Sequence, residues 1–244
     1  MKNRLFFIIA MIIIAACSKD DSSTASNNDG QGGSMATFTL KGEYLYVVDE
    51  LSLNIFKLNE QNIPSQVNSL YVGFDIETLF GFKDYLYIGS RNGMYIYNLE
   101  KPEFPEQLSA VQHFTACDPV VANDTLAFVT LHSNQLCGTS VNALEIYDTK
   151  ELTSPIIISR RNLISPKGLG LKDKYLVVCD DEIKIFDISD PKNSKLVNSI
   201  NISAVDVIIK GDVLMAIGDS GVYQYNIELN DENVEYTKLS SVEF

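Results

Sequence analysis

Tyr175-Leu176-Val177-Val178, preceded by the turn Lys172-Asp173-Lys174 and followed by Ile183-Lys184-Ile185-Phe186, is the stretch on which the fold turns, because the chain repeats it. Tyr44-Leu45-Tyr46-Val47, Tyr85-Leu86-Tyr87-Ile88, Thr125-Leu126-Ala127-Phe128 and Val213-Leu214-Met215-Ala216 align with it at Leu-to-Leu spacings of 41, 40, 50 and 38. Each follows a turn of Lys, Gly, Asp or Asn, as a hairpin between two strands requires. The second element recurs as well, and its terminal aromatics Phe56, Tyr97, Tyr147, Phe186 and Tyr225 are spaced 41, 50, 39 and 39. Two independent elements therefore give one period near forty residues, the length of a four-stranded propeller blade.

Eight residues beyond three of the aromatics stands a proline, Pro64, Pro105 or Pro155, followed by another extended segment such as Gln66 to Tyr71. Proline is tolerated at the start of an edge strand, where no ladder donor is lost, so these segments are expected as outer strands. Helical periodicity is nowhere sustained, and the expectation is an all-β fold, a β-propeller of about five four-stranded blades. The blades are placed at about 35-73, 74-114, 115-163, 164-203 and 204-244, with a ring that closes by side-chain packing.

The run Ile183-Lys184-Ile185-Phe186-Asp187-Ile188-Ser189-Asp190-Pro191 resembles the core motif of LVIVD-repeat propellers, bacterial and archaeal surface proteins. Asn98 with Pro102, and Asp148, follow the motif in part, while Lys57 and Asn226 depart from it at the Asp position. The resemblance covers residues 35 to 244 and implies a fold, with no activity attached to it.

A different chemistry governs the start of the chain. Lys2 and Arg4 precede an apolar run from Leu5 to Ala16 that ends at Cys17. About twelve apolar residues are too few to span a bilayer, but a charged start, an apolar middle and small residues at the cut make a secretory signal. The ending Ile14-Ala15-Ala16-Cys17 resembles a bacterial lipobox, which implies a signal peptide over 1-16 and a lipidated Cys17. Lys19, Asp20 and Asp21 look like the export signal that carries some lipoproteins to the outside of the outer membrane. The expected location is thus the outer membrane, at the cell surface, with membrane contact through the lipid. From Ser18 to Ser34 the chain is Ser, Asn, Asp and Gly with little to bury, so 17-34 is expected as a flexible tether.

Thirty-two acids face 19 bases, and losing Lys2 and Arg4 with the signal moves the net charge from −13 to −15. That charge disfavours a nucleic-acid partner, since such binding rests on Lys and Arg displacing counterions. Trp is absent, which excludes a Trp-lined platform for stacking sugars.

In a blade array the interblade loops and the hairpins between second and third strands share one face, the usual binding surface. Glu77, Asp118, Lys167 and Asp206 are placed where inner strands begin, and His132 in a hairpin of the same face, as a possible ligand-binding set. Three acids around one Lys suit a cation or an amine-bearing ligand. Blade three is stretched by about ten residues through Leu131 to Ser140, and insertions on one face are where individual function is placed. Cys117 and Cys137 are expected to form a disulfide there, with Cys179 a buried free thiol. No zinc site is expected, because His113 and His132 do not stand at ligand spacing to a Cys pair. No cofactor is implied. There is no GxSxG elbow, no HExxH and no phosphate-binding glycine loop. The expected function is a non-catalytic binding domain for a protein, a polysaccharide or another envelope or host macromolecule. One alternative is a carbohydrate-active hydrolase using a carboxylate pair among Glu77, Asp118 and Asp206, and another is a scaffold within an outer-membrane complex.

Overall fold

The computed structural model describes residues 32–112, 119–133, 141–229 and 234–244, and everything below concerns these. Twenty strands form five four-stranded antiparallel sheets, each a meander that follows chain order. Blade one holds β1 (Phe38–Lys41), β2 (Tyr44–Val48), β3 (Ser52–Leu58) and β4 (Pro64–Tyr71). Blade two holds β5 (Ile76–Phe82), β6 (Tyr85–Ser90), β7 (Gly93–Asn98) and β8 (Glu106–Gln112). Blade three holds β9 (Val120–Ala122), β10 (Leu126–Leu131), β11 (Ala143–Asp148) and β12 (Ile156–Asn162). Blade four holds β13 (Leu169–Lys172), β14 (Tyr175–Cys179), β15 (Ile183–Asp187) and β16 (Lys195–Ile200). Blade five holds β17 (Asp206–Lys210), β18 (Val213–Gly218), β19 (Gly221–Leu229) and β20 (Val234–Glu243). The chain is a five-bladed β-propeller array. Inner strands neighbour one another in the order β1, β5, β9, β13, β17.

Register explains the repeat. The five recurring aromatics lie opposite Leu45, Leu86, Ala127, Leu176 and Leu214. Blade three is therefore one residue out of the sequence alignment: Ala127 takes the Leu place and Leu126 the place of Tyr44, Tyr85, Tyr175 and Val213. Thr149 N donates to Thr125 O as Leu99 N does to Asp84 O and Ile188 N to Lys174 O, which fixes the slip independently. Corrected, the spacing is 41, 41, 49 and 38.

Just before each aromatic the ladder to the outer strand shifts by one residue, in all five blades. The unpaired residue is aliphatic each time: Val67, Leu108, Ile158, Val197 and Leu239. Such a bulge bends the outer strand and increases its twist. The next residue is Asn or Ser, and three of these stitch to the following blade. Asn68 Nδ2 donates to Glu103 O at 2.8 Å, Ser159 Oγ to Lys192 O at 3.5 Å and Asn198 Nδ2 to Val234 O at 2.5 Å.

The Asp of the repeat motif has a local task. Asp187 Oδ1 accepts from Ser189 N at 2.8 Å, closing an Asx turn that ends β15 and leads to the 3₁₀ turn Pro191–Asn193. Asn98 accepts from Glu100 N and Asp148 from Lys150 N in the same way, at 2.9 and 3.0 Å. Lys57 and Asn226 stand at the corresponding place without that bond, which is where the motif fades.

Apolar cores fill four joints between blades. Tyr46, Val48, Leu53 and Ile55 of blade one meet Leu79, Leu86, Ile88 and Tyr97 of blade two, and the joints two to three, three to four and four to five are built alike. The fifth joint differs from the closed ring expected from sequence. In β10 and β14 every residue is buried, so both faces of the sheet are covered. In β2 burial alternates: Tyr46 and Val48 are buried towards blade two, while Leu45 and Val47 on the other face are only half-buried. In β18 Leu214 and Ala216 are buried towards blade four, and Ile217 is 47% exposed on the other face. Phe38 of β1, which shares a face with Val47, is 59% exposed. Among the described residues no apolar core joins blade five to blade one. The period counts blades; it carries no information on whether their curvature closes a ring.

Instead, the segment ahead of β1 crosses to the far side. Ala36 O accepts from Leu79 N in blade two, Ser34 Oγ accepts from Leu169 N in blade four, and Ser34 Oγ and Met35 N donate to Asp206 in blade five. Ser34, which the sequence reading placed in the flexible tether, is buried.

Candidate functional site

The interblade loops and the second-to-third hairpins do share a face, because their side chains meet there. Arg91, in the β6–β7 hairpin, donates through Nε to Glu77 Oε1 at 3.0 Å, and its NH1 lies 3.9 Å from Asp75 Oδ1. Glu77 is thrown out of the β5 ladder by a register shift between Ile76 and Thr78, which turns its carboxylate towards Arg91. Asp75, Glu77 and Glu50 together hold the Arg91 guanidinium above its ordinary pKa, the hydrogen bond to Glu77 being the largest cause. Asp75, Glu77 and Glu50 thus gather around Arg91, a different set from the Glu77, Asp118 and Asp206 expected around Lys167.

Lys167 has other company. Its charge, after burial, lowers the pKa of His132, against an opposing pull from Asp180. His132 Nδ1 is buried with no hydrogen-bond partner among the described residues. Asp118, Cys117 and Cys137 lie outside the described residues, as do Cys17, Lys19, Asp20 and Asp21, so neither the disulfide nor the lipidation and export signals are placed. Cys179 is a free, buried thiol whose pKa is pushed up first by burial and then by Asp206.

Asp206 is not an open ligand position. Its Oδ1 accepts from Ser34 Oγ and Val207 N, both at 2.9 Å, and its Oδ2 from Met35 N at 3.2 Å. Gly33 and Gly168 flank it so closely that a Cβ on either would collide with the carboxylate. Burial raises its pKa, with Met35 N and Ser34 pulling the other way. The side chain serves as an anchor for the incoming segment.

Three further polar side chains, Asp180, Asn142 and Glu145, were given no particular role by the sequence. Asp180 is fully buried, accepts from Ile164 N at 3.0 Å and from Ser165 N at 2.5 Å, and pairs with Lys184 Nζ at 2.7 Å. It fixes the loop before blade four against the β14–β15 hairpin. Asn142, at the base of the blade-three insertion, accepts from Ser133 N at 2.8 Å and donates to Ile164 O at 2.7 Å. Glu145 is fully buried on β11, bonded to Arg160 Nε at 2.8 Å and to the Tyr147 hydroxyl. It lines a cavity of about 470 Å³ between blades two and three with Val111, Gln112, Pro155 and Ile157. A lone Glu inside an alternating apolar strand was the available signal. A second space, about 360 Å³, lies in the channel between Gly33, Phe38 and Thr39 on one side and Leu79, Phe80 and Gly81 on the other. Among the described residues no cluster of three or more His, Cys, Asp or Glu side chains is grouped to hold a metal, and no helix is long and apolar enough to cross a membrane.

No protein-family model matches the chain, and no curated protein sequence does. Solved structures do. A protein from Lactobacillus plantarum superposes with a TM-score of 0.67 at 11% identity, over 82% of this chain and 67% of its own. The periplasmic gluconolactonase of Pseudomonas aeruginosa gives 0.64 at 13% identity, over 83% and 68%. A chain of the mitotic checkpoint complex gives 0.61 at 13% identity, over 82% and 63%. At these identities the likeness is one of fold. This chain matches about two-thirds of the length of each.

Proposed function

We propose that this chain is a lipid-anchored protein of the bacterial outer membrane, exposed at the surface, whose propeller face binds a protein or a polysaccharide without turning it over. The observation that carries the binding reading is the state of the carboxylates on that face. Glu77 is engaged by Arg91, Asp180 by Lys184 and two backbone amides, and Asp206 by Ser34 and Met35. Hydrolysis of a glycosidic bond asks for one carboxyl held protonated and a second free to act on water or sugar. Fixed, paired charges on a rigid array instead make a recognition surface, in which charge complementarity selects the partner. The fold also serves in a protein assembly in the mitotic checkpoint complex.

The binding claim is tested by offering the purified chain peptides, polysaccharides and nitrophenyl glycosides. Saturable binding without product is expected. Turnover that disappears on Glu77→Gln would establish the hydrolase in its place. The anchor is tested by Cys17→Ala, which is expected to abolish lipid labelling and membrane fractionation; a variant of normal mature size that still pellets with membranes contradicts it. Replacing Lys19, Asp20 and Asp21 with Ala is expected to preserve lipidation and reduce protease access on whole cells.

A further inference from the structure

We propose that the groove between the outer parts of blades two and three is a docking site for an aromatic side chain of a protein partner. It lies away from the loop face, so it does not depend on the reading given above. The proposal starts from one departure in the repeat. Two residues before the recurring aromatic, on the side of the third strand that looks back along the chain, stand Asn54, Tyr95, Glu145, Lys184 and Tyr223. Their neighbours on the outer strand are Ser69, Ala110, Arg160, Ser199 and Ser241. Tyr95 packs against the core that joins blades one and two, and Tyr223 against the core that joins four and five. Between blades three and four long charged chains take the space: Arg161 lies over the Phe186 ring at 5.2 Å, and Lys184 is held by Asp180 and Asp181. Glu145 leaves its space unfilled. Arg160, the one large residue among the outer-strand neighbours, draws the carboxylate back onto its own sheet, and the Tyr147 hydroxyl donates to the other oxygen.

The place that a tyrosine side chain occupies in two joints is therefore open in this one, and the cavity of about 470 Å³ is what remains. Its walls suit a ring. Val111 comes from blade two, at the outer-strand position from which Leu70 and Ile200 enter the cores that Tyr95 and Tyr223 pack against, and Pro155 and Ile157 come from blade three. Beside them, two bonds to a fully buried carboxylate hold the Arg160 guanidinium in place while its side chain stays 38% exposed. A fixed guanidinium attracts the face of an aromatic ring, as Arg161 does with Phe186 one joint further on. The joint lacks a bond as well as a ring. Ser109, on the same face of β8 as Val111, has a buried hydroxyl with no hydrogen-bond partner among the described residues, at the place from which Asn68, Ser159 and Asn198 each donate to a backbone carbonyl. The openness of the groove selects the source of the ring. A pocket for a free small molecule buries most of that molecule, whereas here Ile157 is 48% exposed and Gln112 lies exposed beside it. A groove open along one side admits a ring carried on a polypeptide, with its flanking residues running over Ile157 and Gln112.

The experiment titrates capped pentapeptides that differ only in the central residue, Tyr, Phe, Leu or Ser, into the chain from Ser18 to Phe244, and follows the methyl resonances of Val111 and Ile157. The Tyr and Phe peptides are expected to move both resonances saturably and to bind more tightly than the Leu and Ser peptides by about tenfold or more. Ile157→Glu, at an exposed position, is expected to weaken the Tyr peptide by about the same factor while circular dichroism and melting stay unchanged. Glu145→Tyr combined with Arg160→Ser writes the Tyr223 and Ser241 pair of blade five into blade three. That double variant is expected to fold, to fill the groove from within and to lose the response to the Tyr peptide. Five results overturn the proposal: no response at either methyl; equal affinity for the Tyr and Leu peptides, which means an apolar patch with no preference for a ring; p-cresol binding as tightly as the Tyr peptide, which means a free aromatic compound as occupant; undiminished binding to Ile157→Glu; or undiminished binding to a folded double variant.

Discussion

Asp206 shows how one side chain can be chosen for the wrong reason and still matter. It begins an inner strand, as expected, yet its oxygens are turned to Ser34, Met35 and Val207, so it secures the segment that links blades one, four and five. A Cβ at Gly168 would lie 2.7 Å from the Asp206 Cα, and backbone has no easy way to yield. Gly168→Ala is therefore expected to cost about 1 to 3 kcal/mol in denaturant unfolding, the range for overpacking a filled site. His132 is governed by pH. Burial and Lys167 place its folded pKa below the ordinary 6.5, so the charged form is the disfavoured one. Its contribution is present above the unfolded pKa and is lost as pH falls through 6.5 towards the lowered value. Unfolding curves at descending pH are expected to show wild type losing stability over that window relative to His132→Asn. Parallel pH profiles would contradict the assignment.

At the scale of the element, the blade was legible because three signals repeat together: the turn, the alternating strand and the closing aromatic. The first turn residue is left-handed in four blades, at Gly42, Lys83, Asp173 and Gly211. Nothing lies within 4 Å of a Cβ placed on Gly42, whose φ is 58°. Gly42→Ala thus isolates the backbone term and is expected to lower stability by about 1 kcal/mol, measured by thermal melting. The blade-three slip was not legible, because Leu126 beside Ala127 invites alignment on Leu, and it takes the register of Ala127 with Tyr147 and the Thr149 to Thr125 bond to show which residue faces blade two. The bulges were hidden for a related reason: an extra aliphatic residue in an already apolar outer strand leaves no mark on composition. On the binding face, charge identified Glu77 and Arg91 as neighbours in space only after the register shift in β5 was known. Asp180 is one acid among the many in the loops by sequence, although its burial makes it a fixed support.

For the whole molecule, a period of about forty residues gives the number of blades, and burial decides how they join. Among the described residues four joints are sealed by apolar cores and one is not. The described residues thus present two kinds of surface: a charged face of loops, and sheet faces of blades one and five that no apolar core joins. The recurring aromatics permit a direct comparison, since Phe186 and Phe56 occupy the same place in the repeat, opposite Leu176 and Leu45. Phe186 is 2% exposed within the joint between blades three and four, whereas Phe56 is half-buried on the open face of blade one. Truncating a buried Phe costs about 3 to 5 kcal/mol. Guanidinium unfolding of the two variants at low protein concentration is the decisive measurement: Phe186→Ala is expected to lose about 3 kcal/mol or more and Phe56→Ala about 1 kcal/mol or less. Equal losses would mean that blade five closes on blade one in solution, contradicting the open joint.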